Sequence, residues 1–241
     1  MRKLLSAMTG LAGAALASGQ ALAQEIRNPA EEWEHLWDEV MMDITIIGVI
    51  MTIAAIVMLI KYRATSPDQV GTAKKLTTVQ SISFALIPAA VFMADDFYLA
   101  ANGWTVWNAY RRVPENAMEV KVTAYQWYFE FEYPDGTVAD GLLGDDDLPK
   151  PILVPQGQPV VFRMYSEDVL HSFGLPYYRV KEDIMPGRIT YVWINTEEAQ
   201  TDAVLQCAEF CGENHSKMSN PIHVVPQDEF EAWLAKTAAE G

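Results

Sequence analysis

Apolar positions along this chain follow three regimes. Residues 4–17 form a short apolar stretch rich in Ala and Gly, placed behind Arg2 and Lys3 and followed by Ala21-Leu22-Ala23. A positive start, a short apolar centre and small residues at its end are what signal peptidase reads, so residues 1–23 are expected to be a cleaved signal peptide. An uncleaved anchor would need a longer run. Residues 24–42 then form a periplasmic N-terminal segment. Residues 44–60 are apolar apart from Thr45, Gly48 and Thr52, a length near the lower bound of about 17 residues for a spanning helix. A second apolar stretch begins near Leu76 and runs towards Asn102-Gly103. The two predict a transmembrane hairpin over residues 43–103. Lys61, Arg63, Lys74 and Lys75 against the single acid Asp68 place its loop in the cytoplasm and both termini outside. Asp95 and Asp96 fall ~25 Å along the second helix, counted at ~1.5 Å per residue from Thr78, near the outer interface. Acids deeper in a span would mark a functional position.

From Met118 the period changes to two. Met118, Val120, Val122 and Ala124 alternate with Glu119, Lys121 and Thr123. Residues 159–164, 189–194 and 222–225 are further strand-like runs, separated by turn signals such as Pro134-Asp135-Gly136 and Pro186-Gly187. Such spacing predicts a small all-β sandwich or barrel over residues 104–226. Phe230, Trp233 and Leu234 share one face of a short C-terminal helix, residues 227–241, opened near Asp228. There is no internal repeat and no low-complexity tract.

Composition narrows the function. The formal net charge of −15 argues against nucleic acid and for basic partners, or simply for solubility. The only cysteines, Cys207 and Cys211, are too few for a disulfide framework. They open the segment Cys207-Ala-Glu-Phe-Cys211-Gly-Glu-Asn-His215-Ser-Lys-Met218, and His171 precedes it in Asp168-Val-Leu-His171-Ser-Phe. Thiols, imidazoles and a thioether are ligands that suit copper. A Cys207–Cys211 disulfide would leave His215 and Met218 unexplained. A closed zinc site of Cys207, Cys211, His215 and His171 would leave Met218 idle. Mononuclear blue copper uses one cysteine, so one would be spare. Two coppers bridged by both thiolates use the whole set: one imidazole each, with Met218 and a backbone carbonyl as the weaker ligands. Shared charge makes reorganisation on reduction small, which suits electron transfer, and no position stays open for a substrate.

The pattern Cys-x-Glu-x-Cys-x3-His-x2-Met, with the upstream Asp-Val-Leu-His-Ser-Phe, resembles the CuA site of cytochrome c oxidase subunit II. The likeness extends to the two N-terminal helices, to the aromatic run Gln126-Trp-Tyr-Phe-Glu-Phe-Glu-Tyr133 and to Val180-Lys-Glu-Asp-Ile-Met-Pro-Gly-Arg188. It implies an all-β, cupredoxin-like Greek-key barrel behind a two-helix transmembrane hairpin. It implies two copper ions held by the side chains of His171, Cys207, Cys211, His215 and Met218 and by the carbonyl of Glu209. It also implies a magnesium ion helped by the Glu209 carboxylate at the contact with subunit I, and Trp127 as the residue that accepts electrons. His35 and His223 match nothing in the pattern.

Three positions depart from the family. Phe129 stands where a second tryptophan is usual. Residues 202–206 lack a usual tyrosine. Gln80 and Ser81 stand where many members carry a glutamate at the mouth of a proton path. The implied function is to take electrons one at a time from periplasmic cytochrome c, soluble or membrane-bound, and pass them to a haem-copper catalytic subunit that reduces oxygen. The setting is the bacterial inner membrane, among further oxidase subunits and lipid. Acids of the β domain, Asp145, Asp146 and Asp147 among them, would guide the donor. The equivalent subunit of a nitric oxide reductase and a membrane-tethered copper-binding protein are the alternatives.

Overall fold

A computed structural model of the chain describes residues 28–71, 74–142 and 148–240. The expected signal peptide and Asp145, Asp146 and Asp147 lie outside the described residues.

Helix α1 spans Pro29–Lys61 and α2 spans Thr78–Arg111. Both are long and apolar enough to cross a membrane, and their apolar windows are uncovered by the rest of the chain. Asn28 caps α1 by accepting the Ala30 N–H at 3.1 Å, with Pro29 in the first turn, where a missing N–H costs no bond. Thr77 caps α2 in a reciprocal box: its hydroxyl accepts the Gln80 N–H at 3.3 Å, and Gln80 Oε1 accepts the Thr77 N–H at 3.0 Å. Gln80, one of the departures from the family pattern, thus opens the helix.

Polar side chains join the helices towards their outer ends. Glu39 accepts from Tyr98 Oη at 2.9 Å and from Asn102 Nδ2 at 3.2 Å. His35 stands 3.5 Å from Glu39 and is otherwise exposed. Both helices run past the hairpin limits set by hydropathy alone, and the outer end of α2 docks on the β domain. Trp193 Nε1 donates to the Ala109 carbonyl at 3.0 Å, and Tyr110 Oη donates to the Arg179 carbonyl at 2.6 Å.

The β domain is a sandwich of two five-stranded sheets. The first has the order β3-β2-β1-β5-β8, from β1 (Met118–Tyr125), β2 (Tyr128–Glu132), β3 (Val138–Asp140), β5 (Val160–Ser166) and β8 (Thr190–Ile194). The second has the order β4-β10-β9-β6-β7, from β4 (Ile152–Pro155), β6 (His171–Leu175), β7 (Val180–Ile184), β9 (Gln200–Cys207) and β10 (Ser219–Val225). The pairs β1–β5 and β4–β10 are parallel and the others antiparallel. Alternation in β1 buries Val120, Val122 and Ala124 in one core with Phe162 of the neighbouring strand β5 and Phe173 of β6 in the second sheet. Phe129, Phe131 and Tyr133 enter the same core, so most of the aromatic run is a packed strand. Helix α3 (Gln227–Glu240) closes one end, with Phe230 and Trp233 against Tyr133 at ring distances of 5.8 and 5.5 Å.

Candidate metal centre

Four segments meet at one end of the second sheet. His171 begins β6, Cys207 ends β9, and the residues after Cys207 form a loop that returns as β10. The loop closes on itself, because the Cys207 N–H donates to the Met218 carbonyl at 2.9 Å. A 3-10 turn, His215–Lys217, sets His215 and Met218 three residues apart on one turn. The fourth segment is the Gln126-Trp127 turn between β1 and β2. The sandwich thus supplies a rigid floor and the loop supplies most of the ligand types.

The donor atoms converge. Cys207 Sγ lies 3.7 Å from Cys211 Sγ, well beyond bonding distance, and both thiols are free and buried. His171 Nδ1 is 3.9 Å from Cys207 Sγ, and His215 Nδ1 is 3.5 Å from Cys211 Sγ. Met218 Sδ is 3.8 Å from Cys211 Sγ, and the Glu209 carbonyl oxygen is 3.2 Å from Cys207 Sγ. Two thiols flanked by two imidazoles, with one thioether and one carbonyl at the margins, fit a pair of soft metal ions. Met218 is 2% exposed and in contact, not idle as a closed zinc site would leave it.

Charge around the thiols is asymmetric. Burial pushes the Cys207 thiol up, but hydrogen bonds from His171, from backbone N–H groups and from Cys211 outweigh it and bring it down to about 6. Burial and then the charge of Cys207 push Cys211 up to about 12. Two adjacent thiolates repel each other, so the two thiols are driven apart in acidity. His171 is fully buried, and its Nε2 lies 2.8 Å from Asp168 Oδ1. That carboxylate fixes which ring nitrogen faces the sulfur atoms.

The aromatic turn is fastened to the loop. Trp127 Nε1 and Gln126 Nε2 both donate to the Cys211 carbonyl, at 3.1 and 2.7 Å, and Asp168 Oδ2 accepts the Gln126 N–H at 2.7 Å. Gly212 makes the close approach possible: its φ is +122°, and a Cβ there would lie 3.0 Å from Gln126 Nε2 and 3.1 Å from Trp127 Nε1.

A family model described as "Cytochrome C oxidase subunit II, periplasmic domain" matches residues 118–225. The chain is similar to a crystal structure of the periplasmic domain of subunit II of cytochrome oxidase from Bradyrhizobium japonicum. The two are 30% identical over 54% of this chain and 99% of that one, with a TM-score of 0.50. The chain belongs to the cytochrome c oxidase subunit II family. Among curated relatives of the family, the probable cytochrome c oxidase subunit 2 of Rickettsia bellii is 31% identical, over 66% of this chain and 64% of its own length. The cytochrome c oxidase subunit 2 of Alkalihalophilus pseudofirmus is 28% identical over 98% of this chain and 68% of its own length. The alternative subunit 2 of Bradyrhizobium diazoefficiens is 32% identical, over 56% of this chain and 57% of its own. The chain spans between about half and two thirds of the length of these three relatives. It is a membrane protein with the family's periplasmic domain.

The structure brings together all six ligands expected from the sequence and sets Trp127 beside them. It differs from expectation at one residue. Phe129, expected from its place at the family's second tryptophan position to support the electron donor's contact, is instead fully buried against Phe173. The Glu209 carboxylate pairs with Lys181 Nζ at 2.6 Å. Gln126 and Gly212 were not singled out by sequence reasoning. The signal was a Gly directly after the second cysteine and a Gln directly before the tryptophan.

Proposed function

We propose that this chain is the electron-accepting subunit of a cytochrome c oxidase in a bacterial inner membrane. It takes electrons from a periplasmic cytochrome c and delivers them to a haem-copper catalytic subunit that reduces oxygen. The observation that carries this reading is the convergence of two free thiols, two imidazoles, a thioether and a carbonyl in one cluster. Cys207 and Cys211 would hold a pair of copper ions, which would supply one-electron exchange with little reorganisation.

The chain's own residues do the rest. His171 and His215 would each hold one metal through Nδ1, and Met218 and the Glu209 carbonyl would be the weak ligands. Asp168 orients His171 through a hydrogen bond. Trp127 is half-buried and hydrogen-bonded to the Cys211 carbonyl, which gives a short bonded route from the surface into the ligand loop. Phe210, 79% exposed and edge-on to His215, offers the catalytic subunit an apolar contact on the metal loop. Glu130, Glu167 and Asp168 lie around the stacked Tyr125–Tyr128 pair near the Trp127 turn, a negative surface for a basic donor.

The purified full chain, reconstituted with copper, tests this. It should bind two coppers, and its paramagnetic resonance should show one unpaired electron shared equally by two copper nuclei. Cys207→Ser or Cys211→Ser should abolish that signal. One zinc, or one copper with a mononuclear blue spectrum, would overturn the reading.

A further inference from the structure

Strand β7 touches both the metal loop and the membrane hairpin. On one side Lys181 Nζ lies 2.6 Å from Glu209 Oε1 and 3.7 Å from Asp183 Oδ1. Its next residue, Glu182, pairs with Arg111 at the end of α2, at 2.9 Å. The strand is hydrogen-bonded to β6, whose first residue is His171, with Lys181 opposite Gly174.

Residue 209 is where the metal loop meets Cys207. Its carbonyl oxygen is 3.2 Å from the Cys207 sulfur. The backbone anchors on either side are at Ala208, whose N–H donates to the Ser172 carbonyl at 3.0 Å, and at Cys211, whose carbonyl is held by Gln126 and Trp127. Between those anchors, the peptide of residue 209 is gripped from outside through its side chain.

We infer that Lys181 is a positioning residue for the metal centre: by holding the Glu209 carboxylate it fixes the Glu209 carbonyl against Cys207 and ties the metal loop to the strand beside His171. The inference rests on the dinuclear copper reading and adds to it a residue outside the ligand set. Weak ligands are the ones a protein can adjust, because a small displacement of a carbonyl changes the field at a metal without ejecting it. The Lys181 and Glu209 side chains are 49% and 36% exposed, so the pair is a modest restraint, and its loss should be read as a several-fold change.

The test uses the full chain in detergent, loaded with copper. Lys181→Met should release copper to a chelator about fivefold faster than wild type and shift the visible absorption bands of the centre. Lys181→Arg, which keeps a cation within reach of Glu209, should restore both. Glu209→Gln should reproduce the Lys181→Met behaviour, and the double variant should be no worse than either single one, because both remove the same restraint. Unchanged release and spectrum in Lys181→Met, or fully additive effects in the double variant, would overturn the inference. A second readout is independent of copper. In metal-free Cys211→Ser protein, Lys181→Met should speed alkylation of Cys207 several-fold by loosening the loop. Equal alkylation rates would overturn the tether even if the copper reading stood. A wild-type chain that bound no copper pair, while Lys181→Met still sped alkylation, would sink the copper reading and leave the tether in place.

Discussion

At the scale of single residues, every buried side-chain polar atom among the described residues has a partner, and Tyr133 makes the consequence measurable. Its ring is 2% exposed between β2 and α3, and its hydroxyl donates to the Leu153 carbonyl at 2.8 Å. Burial first, and then the nearby charge of Asp135, raises the phenol above its ordinary value. A phenol with a raised folded pKa contributes stability that is whole below its unfolded value of about 10 and is lost as pH rises beyond it. Tyr133→Phe should therefore cost about 1 kcal/mol at neutral pH, for the lost hydrogen bond. Above about pH 10 the gap between wild type and variant should close by up to about 1.4 kcal/mol per pH unit. Chemical denaturation of both proteins across that range checks it. A gap that stayed constant would mean that the hydroxyl already reaches water in the folded state.

The same residue-level matching redistributes the acids that the sequence offered as a docking surface. Glu132 is paired with Lys121 at 2.6 Å and Asp140 with Lys150 at 3.2 Å, while Asp135 accepts from Thr137 within its own turn. These acids have local structural partners.

At the scale of elements, the junction between α2 and the sandwich is built from aromatic rings and one guanidinium. Arg111 lies over the Trp107 ring at 4.6 Å and near the Tyr191 ring at 5.7 Å, and reaches Glu182 on β7. Trp193 and Tyr191 donate to the last carbonyls of α2, which have no partner within the helix. The helix end is therefore capped by the domain it carries. Arg111→Met keeps the aliphatic stem but strips the cation from the Trp107 ring, leaves Tyr191 with Arg163 alone, and leaves Glu182, only 19% exposed, without its partner. The expected cost is about 1–2 kcal/mol, mostly the half-buried carboxylate. It should appear as a lower melting temperature of the β domain, with the metal spectrum unchanged. A change in the copper signal at unchanged stability would instead mean that the hairpin transmits to the centre through β7.

At the scale of the whole molecule, an apolar hairpin and an acidic sandwich divide the chain between two solvents. The helix faces expose Ile, Val, Leu and Phe over most of their length, a surface that water would not tolerate and lipid or other helices would cover. Between them lies a loop with Lys61, Arg63, Lys74 and Lys75. A cysteine replacing Asp68, in a background with Cys207 and Cys211 changed to Ser, should react with a membrane-impermeant thiol reagent only after the membrane is opened. Labelling in intact periplasm-accessible cells would reverse the assigned orientation.

Much of this protein is decided by local sequence. Period-two alternation fixed β1, and the apolar runs fixed both helices, because burial against a sheet or in lipid reads out directly as spacing. The ligand types between residues 207 and 218 also stand close in the chain, so their chemistry was legible before any fold. What local sequence does not carry is distance across the sandwich. His171 reaches the thiols because β6 pairs with β9, a register set by packing over the whole core. The fastening of Gln126 and Trp127 onto Cys211, the burial of Phe129 and the grip of Lys181 on Glu209 join residues 28 to 85 positions apart, or seat one in a core built from both sheets. Such contacts depend on how two sheets stack, and no periodicity along the chain encodes that.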